Sequence, residues 1–192
     1  MHQGIVKRNQ VGMLANHRSG VIWFTGLPGA GKSTLAMITE ANLMQLGFRT
    51  CLLDGDLLRQ GLNRDLGFGR ADRAESVRRT SEVAKLMTNA GLVAICALVS
   101  PFHAERQFAR QLLGEDFIEV FVDTPLEICV ERDPKNIYRR ALRGELTEVT
   151  GIDQAYQPPE TPELVVRTTE QTPHVLAEAI VRFAVAKLRL KE

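Results

Sequence analysis

A glycine-rich segment near the N-terminus has the residue types and spacing of a phosphate-binding loop. Gly26-Leu27-Pro28-Gly29-Ala30-Gly31-Lys32-Ser33 follows the apolar run 21–25 and precedes Thr34. Its three glycines permit backbone angles at which successive amide N–H groups surround an oxyanion at a helix N-terminus. Lys32 is predicted to reach the β- and γ-phosphates of ATP, and the Ser33 hydroxyl to bind Mg²⁺. The segment therefore predicts a site for MgATP, although it specifies no reaction.

Two carboxylates, Asp54 and Asp56, follow the short apolar segment 50–53. Beside a loop that binds triphosphate and metal, such a pair suits phosphoryl transfer to a hydroxyl group. We assign Asp54 to Mg²⁺ or its water ligands, and Asp56 to the proton of the attacking hydroxyl. The structural alternative is that Asp56 only caps a short helix that begins at residue 57.

The region 59–79 is rich in arginine and indicates an anionic acceptor. It contains six arginines and three acidic residues, whereas the whole chain has 24 Lys and Arg against 23 Asp and Glu. Guanidinium groups bind phosphate or sulfate oxygens bidentately. Phe68, between two glycines, is placed to stack on a base or, alternatively, to anchor the loop by packing.

A second basic cluster is predicted to lie in a mobile lid that closes over the phosphates and excludes water. The lid is assigned to residues 133–163, an irregular segment that contains a loop longer than is usual in a compact domain. The cluster comprises Arg132, Lys135, Arg139, Arg140 and Arg143.

Composition limits the kind of partner that the chain can have. A formal net charge of +1 provides no overall field for nucleic acid or an anionic membrane surface, so neither is an expected partner. Cys51, Cys96 and Cys129 have no paired spacing and are expected to be buried, reduced thiols, which suits the cytoplasm. The polar N-terminal residues and the lack of a long apolar span do not suggest export.

Strands and helices are predicted to alternate along the chain. Apolar runs predict five strands, at 21–25, 50–53, 92–99, 117–122 and 164–167. Amphipathic segments between the strands predict helices, and 192 residues suit one domain. We therefore predict an α/β fold of three layers, in which helices cover both faces of a five-stranded parallel sheet.

The predicted topology brings the candidate site residues to one edge of the sheet. Ligands of such folds bind at the carboxyl ends of the strands, where the phosphate loop, Asp54, Asp56, Ser100 and Asp123 all fall. Three helices are predicted to begin near this edge. Ser100, before Pro101, and Asp123 are predicted to act as N-caps, and Asp72 is predicted to begin a capping box. Residues 1–20 are predicted to form an N-terminal extension with a short helix and solvated histidines.

These segments together resemble the adenylylsulfate kinase family over nearly the whole chain. The most specific is Leu62-Asn63-Arg64-Asp65-Leu66-Gly67-Phe68, and the others are 26–33, 54–59, 72–73, 100–102, 132–135 and 150–153. The resemblance implies a P-loop kinase domain over residues 21–192 that uses MgATP to phosphorylate the 3′-hydroxyl of adenosine 5′-phosphosulfate. The products would be 3′-phosphoadenosine 5′-phosphosulfate, the activated sulfate donor, and ADP. The resemblance further implies a homodimer and association with ATP sulfurylase.

The resemblance also assigns residues to the two substrates. The acceptor side would be formed by Arg59, Asn63, Phe68, Arg73, Ser76, Phe102, Lys135 and Val149. The ATP side would be formed by the phosphate loop with Thr34, Arg132 and Arg139. Ser100 occupies the position of a phosphoserine in this family. We discount that role because direct in-line transfer needs no covalent intermediate and because an N-cap explains Ser100.

Four positions depart from the family pattern. Pro28 replaces a serine, Ser76 an asparagine, Asn136 a glycine and Val149 a phenylalanine. Without an aromatic clamp at Val149, acceptor binding is expected to be weaker by about 1–3 kcal/mol. Two alternatives therefore stay open: a related P-loop small-molecule kinase with another acceptor, and a catalytically weak nucleotide-binding module of a sulfate-activating complex.

Overall fold

The computed structural model describes residues 16–190, and a five-stranded sheet lies at its centre. The strands are β1 (Gly20–Thr25), β2 (Thr50–Asp54), β3 (Val93–Ala97), β4 (Phe117–Val122) and β5 (Leu164–Val166). Their order is β2-β3-β1-β4-β5, and every neighbouring pair is parallel. The predicted parallel sheet is confirmed. The helix predicted around Val11, Met13 and Leu14 lies outside the described residues.

Helices cover both faces of the sheet. They are α1 (Lys32–Gln45), α2 (Gly55–Arg59), α3 (Arg70–Asn89), α4 (His103–Leu113), α5 (Leu126–Arg132), α6 (Ile137–Leu142) and α7 (Pro173–Leu188). Ile22 and Phe24 of β1 pack in one apolar cluster with α1 and α7, whereas Val21 and Trp23 pack in a second cluster with α3 and α4. Side chains of a strand alternate between its two faces, so β1 is buried on both sides and the three-layer prediction holds.

Three predicted helix starts are wrong, because the capping side chains have other partners or positions. Helix α4 begins at His103, with Phe102 as N-cap, and the Ser100 hydroxyl instead bonds to side chains of β1. Helix α5 begins at Leu126, and Asp123 lies 3.2 Å from Arg167 rather than capping. Helix α3 begins at Arg70, so Asp72 falls inside its first turn. The Thr172 cap of α7, in contrast, accepts from the Val175 N–H as its Ser/Thr-Pro pattern indicates.

His17 is buried, at 2% exposure, although we predicted the histidines of the extension to be solvated. Its Nε2 accepts a hydrogen bond from the Arg49 N–H at 3.0 Å, and its Nδ1 lies 2.9 Å from the Arg18 carbonyl oxygen. The ring lies 4.8 Å from that of Phe48, centroid to centroid. Arg49 and Phe48 follow α1, so the sequence around His17 gives no sign of these two partners.

Replacing His17 by alanine is expected to lower the free energy of unfolding by about 2 kcal/mol. The change leaves the Arg49 N–H without its acceptor and removes a packed ring. Urea unfolding followed by circular dichroism measures the effect, with His174→Ala as control because His174 is exposed in the first turn of α7. The control is expected to change stability by less than about 0.5 kcal/mol. Equal losses in the two variants would contradict the structural role of His17.

No helix within residues 16–190 combines the length and apolar character that a membrane span requires.

Candidate active site

The carboxyl ends of the strands open into one cavity of about 640 Å³. We call its two parts the loop half and the arginine half. The loop half is lined by Pro28, Gly29, Gly31, Lys32, Ser33, Thr34, Arg132, Thr168 and Pro173. The arginine half is lined by Arg59, Phe68, Arg73, Ser76, Ser100, Pro101 and Val149. Asp54, Asp56 and Lys135 also line the cavity. Asp123, which we predicted at the same edge, is not part of the lining and pairs with Arg167 instead.

The phosphate loop has the backbone that its glycines were predicted to allow. Gly26, Gly29 and Gly31 have φ angles of 150°, 77° and 104°, in the region that favours glycine. A Cβ at Gly26 would lie 2.6 Å from the Val122 carbonyl oxygen of β4, so this position also requires close backbone approach. The loop leads directly into α1, whose first N–H groups point toward the cavity end of the helix.

Lys32 lies in the floor of the loop half, and only 9% of it is exposed. Its Nζ donates to the carbonyl oxygens of Gly26 and Leu27, at 3.0 and 2.8 Å. Burial lowers the pKa of Lys32 from 10.5 to about 7, and the nearby Asp54 carboxylate offsets only part of that effect. A nearby negative charge raises the pKa of this ammonium, so the site favours a negatively charged ligand.

Ser33 and Asp54 form a pair of oxygen ligands. The Ser33 hydroxyl, in the first turn of α1, donates to the carboxylate Oδ2 of Asp54, the last residue of β2, at 2.6 Å. Asp54 Oδ1 accepts from the Asp56 N–H at 2.9 Å, which caps α2. The structural alternative for Asp56 is therefore wrong in its details, because Asp54 is the cap and Asp56 lies in the first turn. Within residues 16–190 no group of three or more His, Cys, Asp or Glu side chains could hold a metal by itself.

Asp56 forms an ion pair with Lys135, which precedes α6. Both side chains are more than half exposed, at 57% for Asp56 and 51% for Lys135. Partial burial lowers the pKa of the Lys135 ammonium. The pair connects the end of β2 to the predicted lid, and both members face the cavity.

Two guanidinium groups flank Phe68 in the arginine half. The Arg59 guanidinium carbon lies 4.0 Å from the Phe68 ring centroid, and that of Arg73 lies 5.7 Å from it. The ring is 44% exposed, so loop anchoring by core packing does not explain it. Burial lowers the pKa of both arginines, and in Arg73 the charge of Arg59 lowers it further. One buried and one half-buried guanidinium beside an accessible aromatic ring make a site for a planar anion.

Three other arginines of region 59–79 have partners away from the cavity. Arg78 and Arg79 bond to Glu75, and Arg79 also bonds to Asp65 on the surface. Arg70 lies over the ring of Phe102, 4.8 Å from its centroid. Of the six arginines in region 59–79, only Arg59 and Arg73 therefore line the cavity.

The remaining residues assigned to the acceptor lie at different depths. Ser76 and Val149 line the cavity, although they are only 7% and 3% exposed. Asn63 is fully buried behind Ser76, whose Oγ accepts from its Nδ2 at 3.0 Å. Phe102 packs outside the cavity lining, against Arg70. The structure thus brings Ser76 and Val149 to the cavity and leaves Asn63 and Phe102 behind it.

Arg132 is fixed at the far end of the loop half. It donates to the Thr168 hydroxyl at 2.8 Å and to the Thr168 carbonyl oxygen at 3.1 Å. Arg140 lines the cavity, whereas Arg139 does not, and the Arg139 backbone N–H donates to Asp133 Oδ2 at 2.9 Å. Asn136, which replaces a glycine of the family pattern, has a φ of 54°, a left-handed conformation that asparagine tolerates.

The Ser100 hydroxyl is buried, and both of its hydrogen-bonding roles are occupied. It accepts from Trp23 Nε1 at 3.1 Å and donates to Thr25 Oγ1 at 2.9 Å. Ser100 itself is 2% exposed. Our reason for Ser100, an N-cap, is wrong, but these contacts give its hydroxyl a structural role.

Two residues of the site were missed from the sequence. The hydroxyl oxygens of Thr168 and Thr124 lie 2.7 Å apart and share a hydrogen bond. The Thr124 hydroxyl also donates to the Ala30 carbonyl oxygen of the phosphate loop. Thr168 follows β5, so the rule used for the other strand ends would have found it. Tyr138 is fully buried, and its hydroxyl donates to the Pro28 carbonyl oxygen at 2.9 Å. Nothing local to Tyr138 signals a contact 110 residues away.

Comparison with protein families and curated proteins agrees with this geometry. The family model for adenylylsulphate kinase matches residues 18–167. The adenylyl-sulfate kinase of Clostridium acetobutylicum is 48% identical over 93% of this chain and 89% of its own. The bifunctional enzyme NodQ of Rhizobium tropici is 51% identical over 93% of this chain, which spans only 28% of NodQ.

A solved structure of an adenylylsulfate kinase also has the same fold as this chain. The Mycobacterium tuberculosis APS kinase CysC in complex with AMPPNP and APS superposes with a TM-score of 0.83 and 45% identity, over 86% of this chain and 96% of that one. Sequence and fold thus match this family over most of the chain. The chain belongs to the adenylylsulfate kinase family.

Proposed function

We propose that this chain transfers the γ-phosphoryl group of ATP to the 3′-hydroxyl of adenosine 5′-phosphosulfate. The products are 3′-phosphoadenosine 5′-phosphosulfate and ADP. The observation that carries the proposal is the single cavity in which a phosphate loop faces two arginines and an accessible aromatic ring. The similarity to the CysC complex, which holds a nucleotide and APS together, supports both substrates.

ATP is assigned to the loop half. The amide groups of the phosphate loop and the start of α1 would hold the phosphates, with Thr34 beside them. Lys32 would exchange its carbonyl partners for the β- and γ-phosphates and regain its proton at neutral pH. The guanidinium of Arg132 would bind at the nucleoside end. A contact of Arg139 with ATP stays a prediction.

Magnesium fits the oxygen ligands that meet at Ser33 and Asp54. Mg²⁺ prefers hard oxygen ligands and keeps waters and substrate phosphates in its shell, so two protein oxygens suffice. When bound, it would neutralise charge on the transferred group. The Ser33 hydroxyl would ligate the ion, and the Asp54 carboxylate would hold it directly or through water.

The acceptor is assigned to the arginine half. Arg59 and Arg73 would bind the phosphosulfate oxygens, and the adenine would stack on Phe68 in place of one guanidinium contact. Ser76 and Val149 would contact the nucleoside from the cavity wall, supported by Asn63 and more remotely by Phe102. This placement points the ribose toward the end of β2.

Asp56 is proposed to orient or deprotonate the 3′-hydroxyl. Its carboxylate would have to leave Lys135 and accept the hydroxyl proton, while Lys135 turns toward the phosphates. Transfer is proposed to be direct, since Ser100 is 2% exposed and its hydroxyl is already bonded to Trp23 and Thr25. Catalysis would rest on positioning and on electrostatic stabilisation.

Mass spectrometry of the product formed from ATP and adenosine 5′-phosphosulfate tests the function. We expect a product heavier by one phosphoryl group, with ADP released in equal amount. A panel of other alcohols in an ADP-release assay distinguishes the alternatives. Higher activity on another acceptor would establish a different kinase, and ATP binding without turnover would establish a nucleotide-binding module.

Replacing Phe68 by alanine is expected to raise the acceptor KM five- to a hundredfold, because loss of a stacked base contact costs about 1–3 kcal/mol. The KM for ATP should stay within twofold, since Phe68 lies in the arginine half. Steady-state kinetics with each substrate varied in turn measures both. Phe108→Ala is the matched control, because Phe108 is similarly exposed, at 38%, but lies on α4 outside the cavity lining. Similar changes in both variants would count against stacking on Phe68.

The proposal also covers the location, oligomeric state and partner of the enzyme. We place the enzyme in the cytoplasm as a homodimer that associates with ATP sulfurylase, the class of enzyme that forms adenosine 5′-phosphosulfate. The match to part of a bifunctional enzyme supports a partner activity. Size-exclusion chromatography with light scattering, on this chain alone and with a sulfurylase, checks the assembly.

A further inference from the structure

A network of hydrogen bonds joins the loop before α4 to the end of the predicted lid. The Gln157 N–H donates to the Pro101 carbonyl oxygen at 2.8 Å, and the His103 N–H donates to Gln157 Oε1 at 2.9 Å. The Tyr156 hydroxyl lies 2.9 Å from Thr25 Oγ1, and its ring stacks on that of Phe121, at 6.0 Å between centroids. We call this contact between residues 100–103 and 156–157 the seam.

Arg106 lies at the centre of the seam and is only 3% exposed. Its Nη1 donates to the Ser100 carbonyl oxygen at 2.7 Å, and its Nη2 donates to the Gln157 carbonyl oxygen at 2.6 Å. Nη2 also lies 3.1 Å from His103 Nδ1. One rigid guanidinium therefore holds the two sides of the seam together through backbone carbonyls. A lysine ammonium lacks this planar fork.

The charge of Arg106 is balanced on its other side. Its Nε lies 3.0 Å from Glu119 Oε1, and both side chains are buried. Glu119 also meets Arg110 at 3.2 Å, and Arg110 pairs with Glu163 at 2.6 Å. Two arginines and two glutamates thus form a neutral cluster below the seam. Removal of either arginine unbalances this cluster, but only Arg106 bonds to the seam carbonyls.

The seam supports the arginine half of the cavity. Ser100 and Pro101 line that half, and Ser100 has a φ of 38°, a conformation that is strained for a residue with a Cβ. Such a conformation persists only where neighbouring contacts impose it. The bond from Arg106 to the Ser100 carbonyl oxygen is one of these contacts.

We propose that Arg106 is a positioning residue for the phosphoryl acceptor. It fixes the backbone of Ser100 and Pro101 and joins it to Tyr156 and Gln157 behind the cavity. The inference rests on the proposed function, because the arginine half is assigned there to adenosine 5′-phosphosulfate. It extends that function to a residue that touches neither substrate and acts through the cavity wall.

Steady-state kinetics of Arg106→Gln tests the proposal, with Arg110→Gln as matched control. Both changes remove one charge from the same cluster, one helical turn apart on α4. We expect Arg106→Gln to raise the acceptor KM at least tenfold and to lower kcat, with the KM for ATP within twofold of the wild type. Arg110→Gln should leave both KM values within twofold, although its melting temperature falls. Assays are run well below both melting temperatures.

The outcomes separate this inference from the proposed function. If the wild type does not phosphorylate adenosine 5′-phosphosulfate, the proposed function fails. The positioning role is wrong if the wild type is active and the folded Arg106→Gln variant keeps the wild-type acceptor KM. It is also wrong if Arg106→Gln and Arg110→Gln raise the acceptor KM equally.

If Arg106→Gln does not fold, Arg106→Lys is tested in its place. Lysine keeps the positive charge near Glu119 but cannot bond both carbonyl oxygens in the same geometry. An acceptor KM raised at least threefold supports the proposal, and a wild-type value overturns it.

Discussion

Replacing Lys32 by methionine is expected to lower kcat by roughly a thousandfold while raising the stability of the unliganded protein. The loss of turnover follows because Lys32 is a buried cation of the phosphate loop, and removal of one preorganised donor of this kind costs about a hundred- to a thousandfold. The gain in stability follows because burial lowers the pKa of Lys32 to about 7. Methionine fills a similar volume without the cost of burying a charge.

The sign of the stability change depends on pH. Below pH 7 Lys32 is protonated in the folded and unfolded chains, so the full cost of burying the ammonium destabilises the fold. Between about 7 and 10.5 the folded protein has lost this proton and the unfolded chain still holds it, so stability rises with pH and the advantage of methionine shrinks. Since one pKa unit corresponds to about 1.4 kcal/mol, we expect a gain of at least about 1 kcal/mol at pH 6.

Single-turnover kinetics and urea unfolding at pH 6 and pH 9 measure the two effects of Lys32→Met. Lys135→Met is the matched control, because it removes the half-exposed lysine of the same cavity. That control should leave stability within about 0.5 kcal/mol. A Lys32→Met variant that loses stability at pH 6, or that keeps its turnover, would show that Lys32 serves only to hold the Gly26 and Leu27 carbonyls.

Sequence reasoning found parts of the site by two kinds of signal, the ends of strands and an unusual local composition. Ser33, Asp54 and Thr34 could be placed because the carboxyl ends of parallel strands meet at one edge of the sheet. Arg59 and Phe68 were found because arginine excess and an aromatic between glycines are unusual in a solvated loop. For these residues local pattern and global topology point to the same place.

The parts that sequence reasoning missed depend on contacts between distant segments. The hydroxyl of Ser100 bonds to β1 instead of capping a helix, and Arg106 joins segments 51 residues apart. The ring of His17 accepts its hydrogen bond from the Arg49 N–H, which lies beyond α1. Capping propensity is a local preference, and a buried tertiary partner overrides it. The mobility of the lid stays a prediction, although residues 156–157 of that segment are fixed by the seam and the earlier residues 146–150 line the cavity.

Replacing Asp56 by asparagine is expected to lower kcat about a hundred- to ten-thousandfold, the range for loss of a general base. Asparagine keeps the size of the side chain and leaves the α2 cap intact, because the cap uses the Asp56 N–H and the Asp54 carboxylate. Binding of ATP, measured by titration calorimetry, should change less than twofold. Mass spectrometry of the reaction measures the residual product.

The ion pair with Lys135 suggests a second explanation, in which Asp56 only holds the lid. The two explanations predict different results for Lys135→Met and for the double variant. If Asp56 acts on the 3′-hydroxyl, Asp56→Asn loses far more turnover than Lys135→Met, and adding the lysine change to it costs little more. If Asp56 only anchors Lys135, the two single variants and the double variant lose turnover equally, because each breaks the same ion pair. We expect the first pattern, because the carboxylate lines the cavity and is 57% exposed, where an attacking hydroxyl can reach it.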